Sequence, residues 1–198
     1  MLLQHDDSTI NIVLVLLLLL HGFNHGQVLL NNLCNNFDTI AVQEHWLRLS
    51  DHDLNKFSLF RSDFQGLAWS AMTERLSNGV LMGTPFGGIG LLVKKALNIK
   101  IRRVAVHNRL RCAVNMLEFV NGFKLLLSIV YFPCSYTDAY ESELLEIIGF
   151  TEQCVSCNPA DVVIMLGDMN FEWTSSSVGG RLVAILADEI NLNLLTFR

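Results

Sequence analysis

The chain has 198 residues, 51% of them hydrophobic and 17% charged, which is enough apolar matter for one sizeable core and excludes a disordered polymer. Its formal net charge is −5 and its pI is near 5.6, so no overall field drives it onto nucleic acid. Five cysteines, Cys34, Cys112, Cys134, Cys154 and Cys157, are odd in number and irregular in spacing, so they imply no disulfide framework and favour a reducing, intracellular compartment.

The first marked element is the aliphatic run IVLVLLLLL, residues 12–20. A membrane-spanning helix needs about 20 apolar residues, and this run stops at once in the polar HGFNHG. A secretory signal wants a positive start and a small-residue cleavage site. Here Asp6 and Asp7 precede the run and no such site follows. The favoured reading, with a secretory signal as its alternative, is a central strand buried on both faces, which shows as a continuous apolar run, with HGFNHG as the loop that it delivers. Val28, Leu29, Leu30 and Leu33 then mark the apolar stripe of a short helix. FDTIAVQEHW, residues 37–46, reads as a second buried strand running into polar residues, and LAWSAM around Trp69 and GGIGLLVKK from Gly87 as further strands. IKIRRVAV, AVNMLEFV and FKLLLSIVYFP follow, the last two joined by Asn121-Gly122, which predicts a two-residue hairpin because both residues tolerate positive φ. An amphipathic helix over about 137–154 carries Leu144, Leu145, Ile147 and Ile148; DVVIMLGDMN is another buried strand, and RLVAILADEINLNLL a final helix. With no internal repeat or low-complexity linker, hairpins mixed with helical crossovers predict a single α/β domain over residues 1–198, a two-sheet β-sandwich flanked by helices.

Two of the buried strands end in a carboxylate, Glu44 and Asp168. Strands often end so simply because the chain is leaving the core. A carboxylate at the mouth of a buried strand is nevertheless held rigidly, the way Mg²⁺ is bound by one or two carboxylates together with substrate phosphates. Gly167-Asp168-Met169-Asn170 is more specific. Glycine lets backbone approach a ligand closely, Asp168 can accept a proton from water, and the Asn170 amide can donate to a phosphate oxygen. Tyr131 adds a phenol at the end of another strand. Seven of the fourteen Lys and Arg, namely Lys94, Lys95, Lys100, Arg102, Arg103, Arg109 and Arg111, fall within residues 94–111. That concentration could meet a phosphate backbone or could be the solvated face of two strands. Cys154-Val-Ser-Cys157 has CxxC spacing, but no second pair completes a zinc site.

The order QE, YFP and GDMN at the ends of separate strands resembles the endonuclease/exonuclease/phosphatase superfamily, the DNase I-like proteins, over nearly the whole chain. AVQEHWL, GGIGLLVKK, IVYFP and VVIMLGDMNFEW look most like the endonuclease domains of non-LTR retrotransposons. The resemblance implies Glu44 as a metal ligand, Asp168 as the residue that orients or deprotonates the attacking water, and Asn170 and Tyr131 as groups beside the scissile phosphate. It further implies Mg²⁺ or Mn²⁺ as cofactor, DNA as partner, and neither a membrane nor a small-molecule cofactor. Two of the family's parts are missing. Leu19 stands where the first strand should end in Asn, and Asn24 is a doubtful replacement. The late Asp-His pair should fall beyond residue 198, and no histidine follows His107. The expectation is therefore a domain truncated before its last strands and impaired as a nuclease. The alternatives are a remnant that binds nucleic acid without cutting it, through Lys94, Lys95, Arg102, Arg103 and Arg109, or a phosphatase of the same superfamily.

Overall fold

The computed structural model describes residues 14–18, 22–47, 51–71, 76–77, 80–81, 87–107, 111–132, 140–168, 170 and 177–189. The chain divides into two compact units, Met1–Asn98 and Ile99–Arg198.

In the first unit β1 (Leu14–Leu18), α1 (Gly22–Asn36) and β2 (Thr39–Gln43) form a βαβ unit, with β1 and β2 parallel and Leu18 opposite Gln43. After α2 (Asp51–Ser58) come β3 (Phe64–Trp69), the small hairpin β4 (Leu76–Ser77) and β5 (Val80–Leu81), and β6 (Ile89–Lys94). The main sheet has the order β1-β2-β6-β3. Every residue of β2 is buried, as its continuous apolar pattern predicts. Phe23, Leu30 and Cys34 of α1 pack with Ile40, Val42, Phe57 and Leu92 into one core.

The predicted stripe on α1 is corrected by this packing. The helix begins at Gly22, so most of HGFNHG is its first turn and not a loop. Val28 and Leu29 are exposed, and the buried face runs through Phe23, Leu30 and Cys34, separated by seven and four residues. The helix α2 was not foreseen. Only Leu54 and Phe57 mark its inner face, and the fully buried Phe57 ring holds it, a burial that stabilises by about 2–3 kcal/mol.

The second unit opens with β7 (Lys100–Val106), β8 (Cys112–Glu118) and β9 (Lys124–Tyr131), then α3 (Tyr140–Cys157), β10 (Val162–Asp168) and α4 (Val178–Glu189). Its sheet has the order β10-β9-β8-β7; β10 and β9 are parallel across the α3 crossover, and the other pairs are antiparallel. Both faces of β8 and β9 are buried over most of their length. Cys112, Val114, Met116, Leu126 and Val130 pack with Leu144, Ile147 and Ile148 of α3 and Val183 and Leu186 of α4. Leu145, assigned to the apolar face of α3 from its sequence, is 48% exposed.

The hairpin between β8 and β9 also differs from its two-residue expectation. Phe119 N–H donates to Phe123 O at 2.9 Å and Gly122 N–H to Phe119 O at 2.9 Å, so Val120, Asn121 and Gly122 form a three-residue connection. Gly122 alone takes positive φ, +85°; Asn121 instead accepts the Phe123 N–H on its side-chain oxygen at 3.0 Å. The alternating chain therefore has the expected α/β class, with two sheets and their helices. No described helix is long and apolar enough to cross a membrane.

Candidate functional site

Strand ends supply the site residues in both units. In the second, Asp168 is the last residue of β10 and stands in register opposite Tyr131, the last of β9, so both side chains leave the same face of the sheet. Phe132 N–H donates to Asp168 O at 2.9 Å, which carries the pairing one step further. Asp168 Oδ1 accepts the Asn170 N–H at 3.0 Å, and Asn170 Nδ2 donates to Phe132 O at 2.9 Å. Asn170 has φ +49°, a conformation that asparagine tolerates better than most residues, so the amide is fixed from both its backbone and its side chain. Tyr131, Asp168 and Asn170 thus come together at the carboxyl ends of two parallel strands, where α/β sheets commonly present ligand-binding groups. Gly167 is required by packing: a β-carbon there would collide with the Val130 carbonyl of β9. Beside them, the Arg111 guanidinium lies 5.3 Å from the Tyr131 ring centroid and 3.9 Å from Glu143 of α3.

In the first unit Glu44 follows β2 directly. It has φ +59° and Trp46 has φ +55°, two left-handed residues flanking His45, a strain of order 1–3 kcal/mol each that surrounding contacts must hold. Those contacts come from Gly87 and Gly88, ahead of β6. Glu44 N–H donates to Gly88 O at 3.0 Å and Trp46 N–H to Gly87 O at 2.9 Å. The Glu44 carboxylate accepts two bonds on one oxygen: the Trp46 indole N–H at 2.8 Å and the Gly87 N–H at 3.1 Å, both on Oε2. Among the described residues, Oε1 receives no donor. His45 is the buried pin of the loop, 1% exposed. Its Nδ1 accepts the Leu47 N–H at 3.0 Å, which leaves the proton on Nε2 to face Trp69 O at 3.0 Å and Ile89 O at 3.3 Å. His45 O accepts the Phe23 N–H at 2.8 Å, satisfying one of the free donors at the start of α1. Gly88, at φ +97°, leaves no room for a β-carbon against the imidazole.

Loss of solvation pushes His45 down to about 4 from its ordinary 6.5, against the two carbonyl hydrogen bonds, which pull the other way. Between these two values the unfolded chain binds the proton and the folded chain does not, so folding stability rises with pH across that window. It is therefore complete above about pH 6.5 and declines as pH falls to about 4, by up to roughly 3 kcal/mol from this one group. Urea midpoints measured at intervals over this range are expected to fall more steeply for the native chain than for His45→Gln. Parallel curves would show that the ring does not carry the effect.

The basic stretch is divided between the two units. Lys94 pairs with Asp38 at 3.0 Å and Lys95 donates to Ser62 O at 2.8 Å. Lys100 and Arg102 lie 3.4 and 3.9 Å from Glu118, and Arg102 also reaches Asn158 at 3.2 Å. Lys100, Arg102 and Arg103 are on β7, an edge strand of its sheet, where charged side chains hinder pairing with other chains. Arg109, Leu19 and the residues beyond 189 lie outside the described residues. Asn24, the doubtful substitute for the first-strand amide, is exposed on α1. The CxxC pair occupies the last turn of α3, with Cys154 buried and Cys157 exposed. Burial pushes the Cys112 thiol up to about 12, so it is an apolar filler and not a thiolate. Among the described residues, no three His, Cys, Asp or Glu side chains gather to hold a metal ion. A cation bound at Glu44 would take one protein carboxylate, with water or substrate oxygens completing its shell. This fits Mg²⁺, which keeps several waters and needs one or two carboxylates.

Gly87 and His45 were not singled out in the sequence. The GG doublet was visible, but only the tertiary fold turns it into the support of Glu44.

Each unit holds a parallel βαβ pair, and the chain's fold is similar to that of solved endonuclease/exonuclease/phosphatase, DNase I-like structures. The chain is similar to the endonuclease domain of TRAS1, a telomere-specific non-LTR retrotransposon, at 13% identity and TM-score 0.57, over 93% of this chain and 73% of that one. It is similar to an AP endonuclease from Archaeoglobus fulgidus at 9% identity and TM-score 0.59, over 89% and 70%. The 3′ phosphatase NExo from Neisseria, bound to product DNA hairpin, matches at 11% identity and TM-score 0.57, over 88% and 70%. No protein-family model and no curated protein sequence matches the chain.

Proposed function

We propose that the chain is a metal-assisted phosphodiesterase domain of the retrotransposon endonuclease type, built to engage DNA and impaired in turnover. The observation that carries this reading is the meeting of Tyr131, Asp168 and Asn170 at the ends of β9 and β10. Asp168 accepts the Asn170 N–H on Oδ1, and its carboxylate is the group of this cluster whose chemistry suits accepting a proton from, or orienting, an attacking water. Asn170 uses one amide hydrogen on Phe132 O and keeps a second for a phosphate oxygen. The Tyr131 phenol, on the same face as Asp168, is a further donor to that phosphate. In the first unit, Glu44 would hold a divalent cation through its carboxylate. Such a cation supplies charge neutralisation at phosphate oxygens when bound. The DNA-bound Neisseria structure and the TRAS1 domain support DNA as the substrate class.

The impairment follows from Leu19, which offers no hydrogen bond where the resemblance implies an amide. Losing one such electrostatic donor costs about 10²–10³ in rate. With supercoiled plasmid and Mg²⁺, the 198-residue chain is expected to nick close to the protein-free rate, and to bind a labelled duplex at low salt with an affinity that falls as salt rises. Rapid nicking abolished by Asp168→Ala would keep the site and overturn the impairment. Absence of any DNA binding at low salt would overturn the substrate class.

A further inference from the structure

Glu44 presents its two carboxylate oxygens very unequally, and the cause is a neighbouring side chain whose identity the backbone does not dictate. Both N–H donors fall on Oε2, from Trp46 at 2.8 Å and from Gly87 at 3.1 Å. The indole is itself held in place, because its ring lies against Gly22, where a β-carbon would come within 2.9 Å of it. The loop adopts two left-handed residues, one of them Trp46, to bring the indole back onto the carboxylate two positions earlier. A carboxylate with one oxygen engaged by two donors cannot chelate symmetrically.

We propose that Trp46 is a positioning residue for the cation site: its indole N–H, together with the Gly87 N–H, occupies Oε2 and leaves Oε1 as the single ligating atom of Glu44. The inference rests on the reading of Glu44 as the metal ligand. Single-oxygen ligation suits a small cation with strict octahedral geometry, such as Mg²⁺ or Mn²⁺, whereas Ca²⁺ readily takes both oxygens of one carboxylate. Trp46 thereby sets cation preference as well as affinity. Hydrogen-bond partners of ligating groups typically carry about 10–100-fold of metal affinity, the scale expected here.

The test is calorimetric titration of Mn²⁺ and of Ca²⁺ into the full chain and into Trp46→Phe, which keeps an aromatic ring and removes the N–H. Mn²⁺ affinity is expected to fall about 10–100-fold while Ca²⁺ affinity falls less, so that the preference between them narrows. Equal losses for both ions, or none, would overturn the proposal. The underlying reading has its own control: Glu44→Gln must abolish Mn²⁺ binding, and retained binding would sink the ligand assignment itself. Should Trp46→Phe not fold, a second measurement decides. The chain has three tryptophans, Trp46, Trp69 and Trp173. With Trp69→Phe and Trp173→Phe, Mn²⁺ is expected to quench the emission of Trp46 with the midpoint found by calorimetry. Mn²⁺ binding that leaves this emission unchanged would place the ion away from the indole and overturn the proposal.

Discussion

Gly167→Ala is expected to destabilise the second unit by at least about 3 kcal/mol, an overpacking penalty at the upper end of the usual range. The added β-carbon meets the Val130 carbonyl of the paired strand β9. A flexible side chain could swing aside, but Val130 is a ladder residue in register with Gly167 and its backbone cannot move without breaking the β9–β10 pairing. That pairing is what places Asp168 opposite Tyr131. The measurement is a urea titration followed by far-ultraviolet circular dichroism: the midpoint should fall sharply, with any remaining folded protein losing DNA binding in parallel. A midpoint within a few tenths of a molar of the native chain would mean that the strands are not as closely paired as the register requires.

The second large effect concerns Leu19. Leu19 stands where the family resemblance implies an asparagine, and leucine offers no polar group to a cation or phosphate. In a polypeptide that also carries a downstream Asp-His pair, Leu19→Asn is expected to raise Mg²⁺-dependent nicking by about 10²–10³-fold, the usual worth of one electrostatic donor. Adding Asp168→Asn to that background should take back about 10²–10⁴-fold by removing the base. If Leu19→Asn changes neither Mg²⁺ affinity nor nicking, the assignment of the first strand is wrong.

Much of the fold was legible because buried strands write themselves in composition. A strand covered on both faces has few polar positions to spare, so IAV of β2, AV and ML of β8 and LLL of β9 stand out as apolar runs. Residues where such runs stop, Glu44, Tyr131 and Asp168, were legible for the same reason. Elements held by few contacts were not. The helix α2 depends on Leu54 and Phe57, too few to show a period in sequence, and α1 absorbed HGFNHG because Phe23 joins the core and His45 O caps its first turn. The NG doublet identified the hairpin correctly but not its length, because Asn121 spends its side chain on a neighbouring N–H and leaves positive φ to Gly122 alone.

The basic stretch shows the limit of counting charges along a chain. Lys94 and Lys95 close one unit's sheet and Lys100, Arg102 and Arg103 edge the other's, each of the first four having a carboxylate or carbonyl oxygen within reach. Proximity in sequence therefore did not reveal the oxygen partners that these four side chains take in the fold.

By itself the sequence determined the α/β class, the strands that form the two sheets, and the carboxylates and amide at their ends, because burial demands apolar runs and the chain must turn polar where burial stops. Only the tertiary structure decided how those groups are aimed. Strand register sets Asp168 beside Tyr131, and a left-handed turn pinned by His45, Gly87 and Trp46 fixes which oxygen of Glu44 the Trp46 and Gly87 N–H groups engage. Such directions depend on hydrogen bonds between residues tens of positions apart, and no local pattern in the chain encodes them.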